Sequence, residues 1–355
     1  MRRRGGLFLE YFAFIALLLG TVTSWASAPA QGSLKRIGFL ANSVPQAEME
    51  AGTATHPAVT EFVTGLRKLG WIDGKNVRIV WKSAEGEYGR LPQLAEELAG
   101  MPVDVIVAFG GGVNAAARAT RTIPVVMVTY YSPVEEGLAA SLARPGGNVT
   151  GTVLVAGGRE QHNEKRLSLL KEAVPRIARI AFVTLWKGPV SGRQAVEARI
   201  EEAFRRSPAL SATTNSLGLE VSVVTFATLR DMPAAIERAA RAGAQALWFD
   251  DAPELHYPDA QAMIASEARR HRLPDMHQVL GAAANGGFMA FGSDITANYR
   301  RAPHFVDRIL RGHAPADMPI EQPSRVELHV NRGAARALGI ELPPSLLLRA
   351  DRVFE

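Results

Sequence analysis

The sequence predicts an α/β protein of two Rossmann-like lobes, each built on a parallel sheet, with three hinge segments between them. Three observations carry this. Apolar, β-branched runs alternate with helix-period stretches along the chain, the order that helix-covered parallel sheets require. The plan then restarts with matched spacing: forty residues separate Ile37 from Val77, and forty separate Ile180 from Glu220. Finally, 355 residues at about 100–200 per domain predict two domains.

The N-terminus reads as an export segment outside the fold. Arg2, Arg3 and Arg4 precede an apolar run at 11–20 (YFAFIALLLG), and small residues follow at Ala26, Ser27, Ala28 and Ala30, the layout of a secretory signal peptide. The run is about half of the roughly 20 residues a membrane span needs. Glu10 is atypical of such a segment. Ala28 and Ala30 place cleavage before Gln31, so residues 1–30 are read as signal peptide, and the product as periplasmic without direct membrane insertion. The sequence has no cysteine, which excludes a lipid-bearing cysteine, disulfides and thiolate metal sites. Removing three arginines and one glutamate with the signal lowers the formal charge from +5 to +3, too scattered for a nucleic-acid footprint.

In chain order, the first lobe's strands are expected at 36–40 (RIGFL), 77–81 (VRIVW), 103–108 (VDVIVA) and 124–128 (PVVMV). Between them Val59, Phe62, Val63, Leu66 and Leu69, then Leu91, Leu94, Ala95 and Leu98, form helical stripes facing a sheet. The second lobe repeats the order at 179–184, 219–224, 245–249 and 273–276. The segment 143–152 (ARPGGNVTGT) is read as a turn and hinge, as are the Gly-rich 285–292 and the Pro-rich 315–323; a helix at 294–310 and a last strand at 325–330 complete the chain. The N-terminal lobe is accordingly expected to hold 31–150 plus about 292–322, and the C-terminal lobe 151–291 plus about 323–355.

Ligands of open parallel sheets bind at the carboxyl ends of the strands, which selects the loop residues. Asn42 and Ser43 follow the first strand. Gly110, Gly111 and Gly112 follow the third, where backbone N–H groups at a helix start suit a carboxylate; a tight turn without ligand is the alternative. Tyr130, Tyr131 and Ser132 follow the fourth, either stacking on a planar solute or packing under the loop. Trp186 and the pair Asp250 and Asp251 occupy the matching loops of the second lobe. An acidic pair opposite anion-friendly glycines matches a zwitterion, and a solvated loop or helix cap is the alternative.

Motifs of catalysis are missing. No G-x-G-x-x-G follows the first strand, no P-loop occurs, the eight histidines lack metal-ligand spacing, and there is no G-x-S-x-G elbow. No enzyme activity, cofactor or metal is expected.

Several stretches are specific enough to compare: 62–71 (FVTGLRKLGW) followed by Asp73-Gly74-Lys75-Asn76, then 137–151 (GLAASLARPGGNVTG), 165–175 (KRLSLLKEAVP), and the end from Val306, with PADMPIEQPSRVELHVN and ALGIELPPSLLLRADRVFE. On these the chain resembles the substrate-binding proteins of ABC transporters related to tryptophan- and aromatic-amino-acid-binding receptors. The resemblance implies the type I periplasmic-binding-protein fold, a ligand in the interlobe cleft, and delivery to an ABC permease powered by a separate ATPase. Departures from the family fall at the ligand loops. Gly110-Gly111-Gly112 stands where Gly-Thr-Pro is usual, and Ser132-Pro133-Val134 replaces Asp-Pro-Val, removing a cleft carboxylate. The loop at 42–60 is long, and 207–217 is an unusual insertion. The resulting expectation is a monomeric extracytoplasmic receptor for a small molecule, an amino acid or an aromatic or carboxylate solute, that closes by hinge motion. The alternative is a sensory receptor presenting its ligand to a membrane kinase or chemoreceptor.

Overall fold

The computed structural model describes residues 34–155, 158–187 and 190–355; the export segment expected at 1–30 lies outside them. The first lobe runs β1 (Lys35–Ala41), α1 (Gln46–Ala51), α2 (Pro57–Lys68), β2 (Val77–Ser83), α3 (Leu91–Ala99), β3 (Val105–Phe109), α4 (Gly111–Ala119), β4 (Val125–Tyr130) and β5 (Val149–Val153). All its strand pairs are parallel, in the order β2-β1-β3-β4-β5.

The second lobe begins α5 (Arg159–Ala173), β6 (Arg179–Leu185), α6 (Arg193–Arg206), α7 (Pro208–Leu217), β7 (Glu220–Phe226), α8 (Met232–Arg241), β8 (Ala246–Phe249) and α9 (Pro258–Arg270). It continues β9 (Asp275–His277), α10 (Gly281–Ala284) and β10 (Met289–Ser293). Its order β7-β6-β8-β9-β10 reproduces the first sheet strand for strand. The chain ends with α11 (Ile295–Leu310), β11 (Val326–Asn331), α12 (Arg332–Leu338), α13 (Pro344–Arg349) and β12 (Arg352–Phe354). β11 pairs antiparallel with β10, so the second sheet is mixed where a parallel one was expected.

Sequence pattern explains the layers. Phe62 and Leu66 of α2 are fully buried beside Phe39 and Ile37 of β1, each fully buried side chain contributing about 1.5–3 kcal/mol. Leu91, Leu94 and Leu98 of α3 cover the other face. Late in sequence, α11 returns to the first lobe: Phe305, Val306 and Leu310 join the α2 core, and the Trp71 indole N–H donates to Asp307 Oδ1 at 2.8 Å. The insertion at 207–217 is α7, capped where Ser207 accepts from the Leu210 N–H.

Two segments read as hinges run partly into strands. Residues 149–153 form β5 and 289–293 form β10, so the first crossing between sheets follows Val153 and the next lies at Asp294. The reason is steric. A Cβ on Gly151 would lie 2.0 Å from the Met127 carbonyl oxygen, and one on Gly292 would lie 2.2 Å from that of Gln278. Both glycines permit close backbone approach inside a sheet. A third crossing follows Glu321, which bridges to Thr152. The short edge strand β12 was not read from the sequence at all.

Candidate functional site

The carboxyl ends of both sheets meet around a cavity of about 500 Å³. Nine of the expected residues line it: Asn42, Ser43, Gly110, Gly111, Tyr130, Tyr131, Trp186, Asp250 and Asp251. Gly112 and Ser132 do not. Gly112 lies inside the first turn of α4, packed under Leu40 and the Asn42 side chain. The Ser132 carbonyl accepts from the Glu136 N–H at 3.0 Å and serves the loop turn.

In the first lobe, Gly110 holds φ 44° and ψ −121°, a conformation open to glycine, and this lets the chain enter α4 beneath Asn42. Asn42 is 5% exposed; its Oδ1 and the Ser43 Oγ are buried without a hydrogen-bond partner in the protein. A buried polar atom left so costs about 1–3 kcal/mol. Thr129 takes a left-handed φ of 57°, where the β4–β5 register shifts. Beyond it the two tyrosines take separate roles. The Tyr130 hydroxyl donates to Glu136 Oε2, and Tyr131 reaches across to the second lobe, where Gln278 Nε2 donates to its hydroxyl at 3.0 Å.

In the second lobe, the acidic pair is already engaged. Arg159 Nη2 donates to Asp250 Oδ1 and Oδ2 at 2.6 and 2.8 Å, Thr184 Oγ1 donates to the same carboxylate at 3.0 Å, and the Arg159 guanidinium lies 4.7 Å over the Tyr131 ring. The neighbouring Asp250 charge holds the Arg159 pKa above its ordinary value, outweighing burial. Asp251 accepts from His256 Nε2 at 2.8 Å, and the Tyr299 hydroxyl bonds His256 Nδ1 at 2.8 Å. Burial, with Asp251 second, raises the Tyr299 pKa well above its usual value. Tyr299 therefore keeps its proton and donates it to Nδ1, leaving the His256 Nε2–H for Asp251. Lys187 Nζ faces Glu254 Oε1 at 3.3 Å, and Tyr88, its pKa raised by burial and then by Glu254, extends its hydroxyl to Glu254 Oε2 at 3.5 Å.

His56 closes the far side. As N-cap of α2 it accepts the Ala58 N–H on Nδ1 at 3.1 Å, so Nε2 carries the proton and faces the Pro253 carbonyl at 3.4 Å. Burial, then the nearby His256, lower its pKa to about 3, against the Pro253 bond.

A sequence profile described as ABC transporter substrate binding protein matches residues 51–354. The chain belongs to this ABC transporter substrate-binding family. Its members are solute-binding receptors, and the chain is similar to a tyrosine-binding protein of Clostridioides difficile strain R20291, 23% identical over 291 residues, 81% of this chain and 79% of that one. Among solved structures it is similar to a Streptococcus pneumoniae ABC domain in complex with L-Trp, at TM-score 0.68 and 21% identity, covering 91% of this chain and all of that one. A Bacillus halodurans solute binding protein with bound myo-inositol gives TM-score 0.51 and 12% identity over 86% of this chain and 98% of that one. The fold is that of the periplasmic binding proteins. Among the described residues no helix is long and apolar enough to cross a membrane.

Within this substrate-binding fold, two of the lining residues not expected from sequence share a position. Arg159 opens α5 just after the first crossing, and Tyr299 lies in the first turns of α11 just after the second. Residues next to a crossing are carried to the cleft by topology. That adjacency is the signal that would have found them, whereas His56 hides in the long loop and reveals itself only as the cap of α2.

Proposed function

We propose that the chain is an exported receptor that closes two lobes on a small aromatic-bodied solute, an amino acid or another aromatic carboxylate, and hands it to an ABC permease. The carrying observation is the pair of buried, unpartnered acceptors Asn42 Oδ1 and Ser43 Oγ in a cavity walled by Phe109, Tyr131, Trp186 and Tyr299. Aromatic walls with a few convergent polar groups are the usual make-up of a small-molecule site. Family membership supports the permease partner, and the Arg2–Ala30 layout supports export with cleavage before Gln31. Lobe contacts across the cleft, such as Tyr131 with Gln278, support capture by hinge closure.

The test is a thermal-shift screen of the full chain against aromatic amino acids, aromatic acids, sugars and nucleosides. A true solute at a hundred times its Kd adds about 2.7 kcal/mol by mass action. The expected outcome is one chemical class that raises the melting temperature. Failure of every class would remove the receptor reading.

A further inference from the structure

We infer that the protein has a second binding site, on the hinge side of the cleft, that takes a small neutral polyol. The site goes beyond the receptor reading and does not depend on which solute the cleft holds.

A cavity of about 210 Å³ lies behind the cleft wall. His256 and Tyr299, both buried, line this cavity and the cleft alike, and the 2.8 Å hydrogen bond between the Tyr299 hydroxyl and His256 Nδ1 joins them into one partition. The other walls come from three places. Pro57 opens α2 in the first lobe, Leu280 and Asn285 flank α10 in the second, and Ser293 to Thr296 make the crossing from β10 into α11. An occupant therefore meets both lobes and the segment that joins them.

The polar groups of the wall define its chemistry. Ser293 is 4% exposed, and its Oγ is buried without a hydrogen-bond partner in the protein, whereas buried polar atoms are ordinarily paired. Asn285 spends its amide N–H groups on Gln261 Oε1 and the Gly281 carbonyl at 2.8 and 3.0 Å, which leaves its Oδ1 to accept. The Thr296 hydroxyl lines the cavity as well. Charge is already balanced. Asp294 Oδ1 accepts the Thr296 and Ala297 N–H groups, and its Oδ2 takes Arg300 at 2.9 Å. Both ring nitrogens of His256 are committed, to Asp251 and Tyr299, and no lysine or arginine is among the described lining residues.

Two hydroxyls that both donate and accept, an amide oxygen that only accepts, and apolar surface from Pro57, Leu280 and Ile295 match a carbon chain that carries hydroxyls along its length. Volume sets its size. At about 30 Å³ for each water-sized group the cavity holds roughly seven of them, below the 300 Å³ or so at which drug-sized pockets begin. That is the bulk of a three- or four-carbon polyol, and a sugar ring exceeds it.

Titration of the full chain with erythritol, followed by saturation-transfer NMR, tests this. Ser293→Val replaces the unpartnered hydroxyl by methyl groups, and Thr296→Trp fills the volume from a half-buried position. The expected result is transfer to erythritol in the wild type and an apparent Kd at least about fivefold higher in each variant that melts as a folded protein, the loss of one hydrogen bond or more. Asn42→Ala alters the cleft alone, so erythritol should titrate with it as with the wild type. Absence of transfer in the wild type overturns the inference, and so does an unchanged Kd in whichever of Ser293→Val and Thr296→Trp folds. A Kd raised by Asn42→Ala overturns it too, because the polyol then sits in the cleft. Propionate and ethylammonium, charged probes of similar bulk, complete the set: transfer to either one that Ser293→Val abolishes overturns the neutral chemistry. None of these outcomes bears on the receptor reading, which stands or falls with the solute screen of the cleft.

Discussion

His56 shows what one side chain can contribute at residue scale. It is 2% exposed, its Nδ1 caps α2, and the groups facing it from the other elements are His256, Tyr257 and Tyr299, with Asp251 behind His256. Its pKa of about 3 lies below the ordinary 6.5 or so, so protonation favours any state in which the lobes part and the ring meets water. The contribution to closure is thus full above about pH 6.5 and is lost progressively as pH falls toward 3. Between pH 7.5 and 5 the solute affinity of the full chain should fall roughly tenfold, about 1–2 kcal/mol. His56→Asn keeps a cap acceptor without a titrating ring, and calorimetry across that range should show the dependence flattened. A wild-type affinity independent of pH would refute the coupling. The sequence made Asn42, Tyr131 and Asp250 legible because strand ends point at the cleft by rule. It could not show that Asp250 is already paired, since its partner Arg159 lies ninety-one positions earlier on another element.

At the scale of elements, glycine was misread in one direction. GNVTGT and NGGFMAFG look like turns because glycine punctuates turns, yet Gly151 and Gly292 sit inside β5 and β10, the equivalent fifth strands of the two repeated orders. Gly151 has φ 132° and its Cα passes so close to β4 that a methyl would overlap the Met127 carbonyl. The apolar residues around it, Val149 and Val153, are fully buried in the lobe core and carry the strand signal that the glycine masked. Gly151→Ala should therefore lose about 3 kcal/mol or more, backbone strain and clash together. Thermal unfolding of the variant checks this, and a melting temperature within a degree or two of wild type would show that β5 yields where the packing says it cannot. Nine strands were legible, eight as apolar runs in the same order in each half and β11 as the last strand expected. The three that were not are short or glycine-bearing.

At the scale of the whole molecule, the repeated strand order explains why a cleft exists at all: two copies of one sheet, facing carboxyl end to carboxyl end, converge their ligand loops on a single volume. The contacts that seal that volume are few and polar. Tyr131 meets Gln278, His56 meets the Pro253 carbonyl, Tyr88 meets Glu254, and each joins residues of different lobes. Such contacts form only on closure, so they belong to the open–closed equilibrium and leave the stability of either lobe untouched. A ligand's apparent affinity scales with the fraction of closed molecules, which makes these bonds silent levers on Kd. Tyr131→Phe removes the Gln278 bond and keeps the ring under Arg159. Its loss is that of one neutral hydrogen bond, about 1 kcal/mol or roughly fivefold in affinity, with the melting temperature of the ligand-free chain unchanged. Calorimetry and melting measured together decide the matter: a fall in both would make Tyr131 a packing residue of the first lobe, and a fall in affinity alone identifies it as part of the clasp.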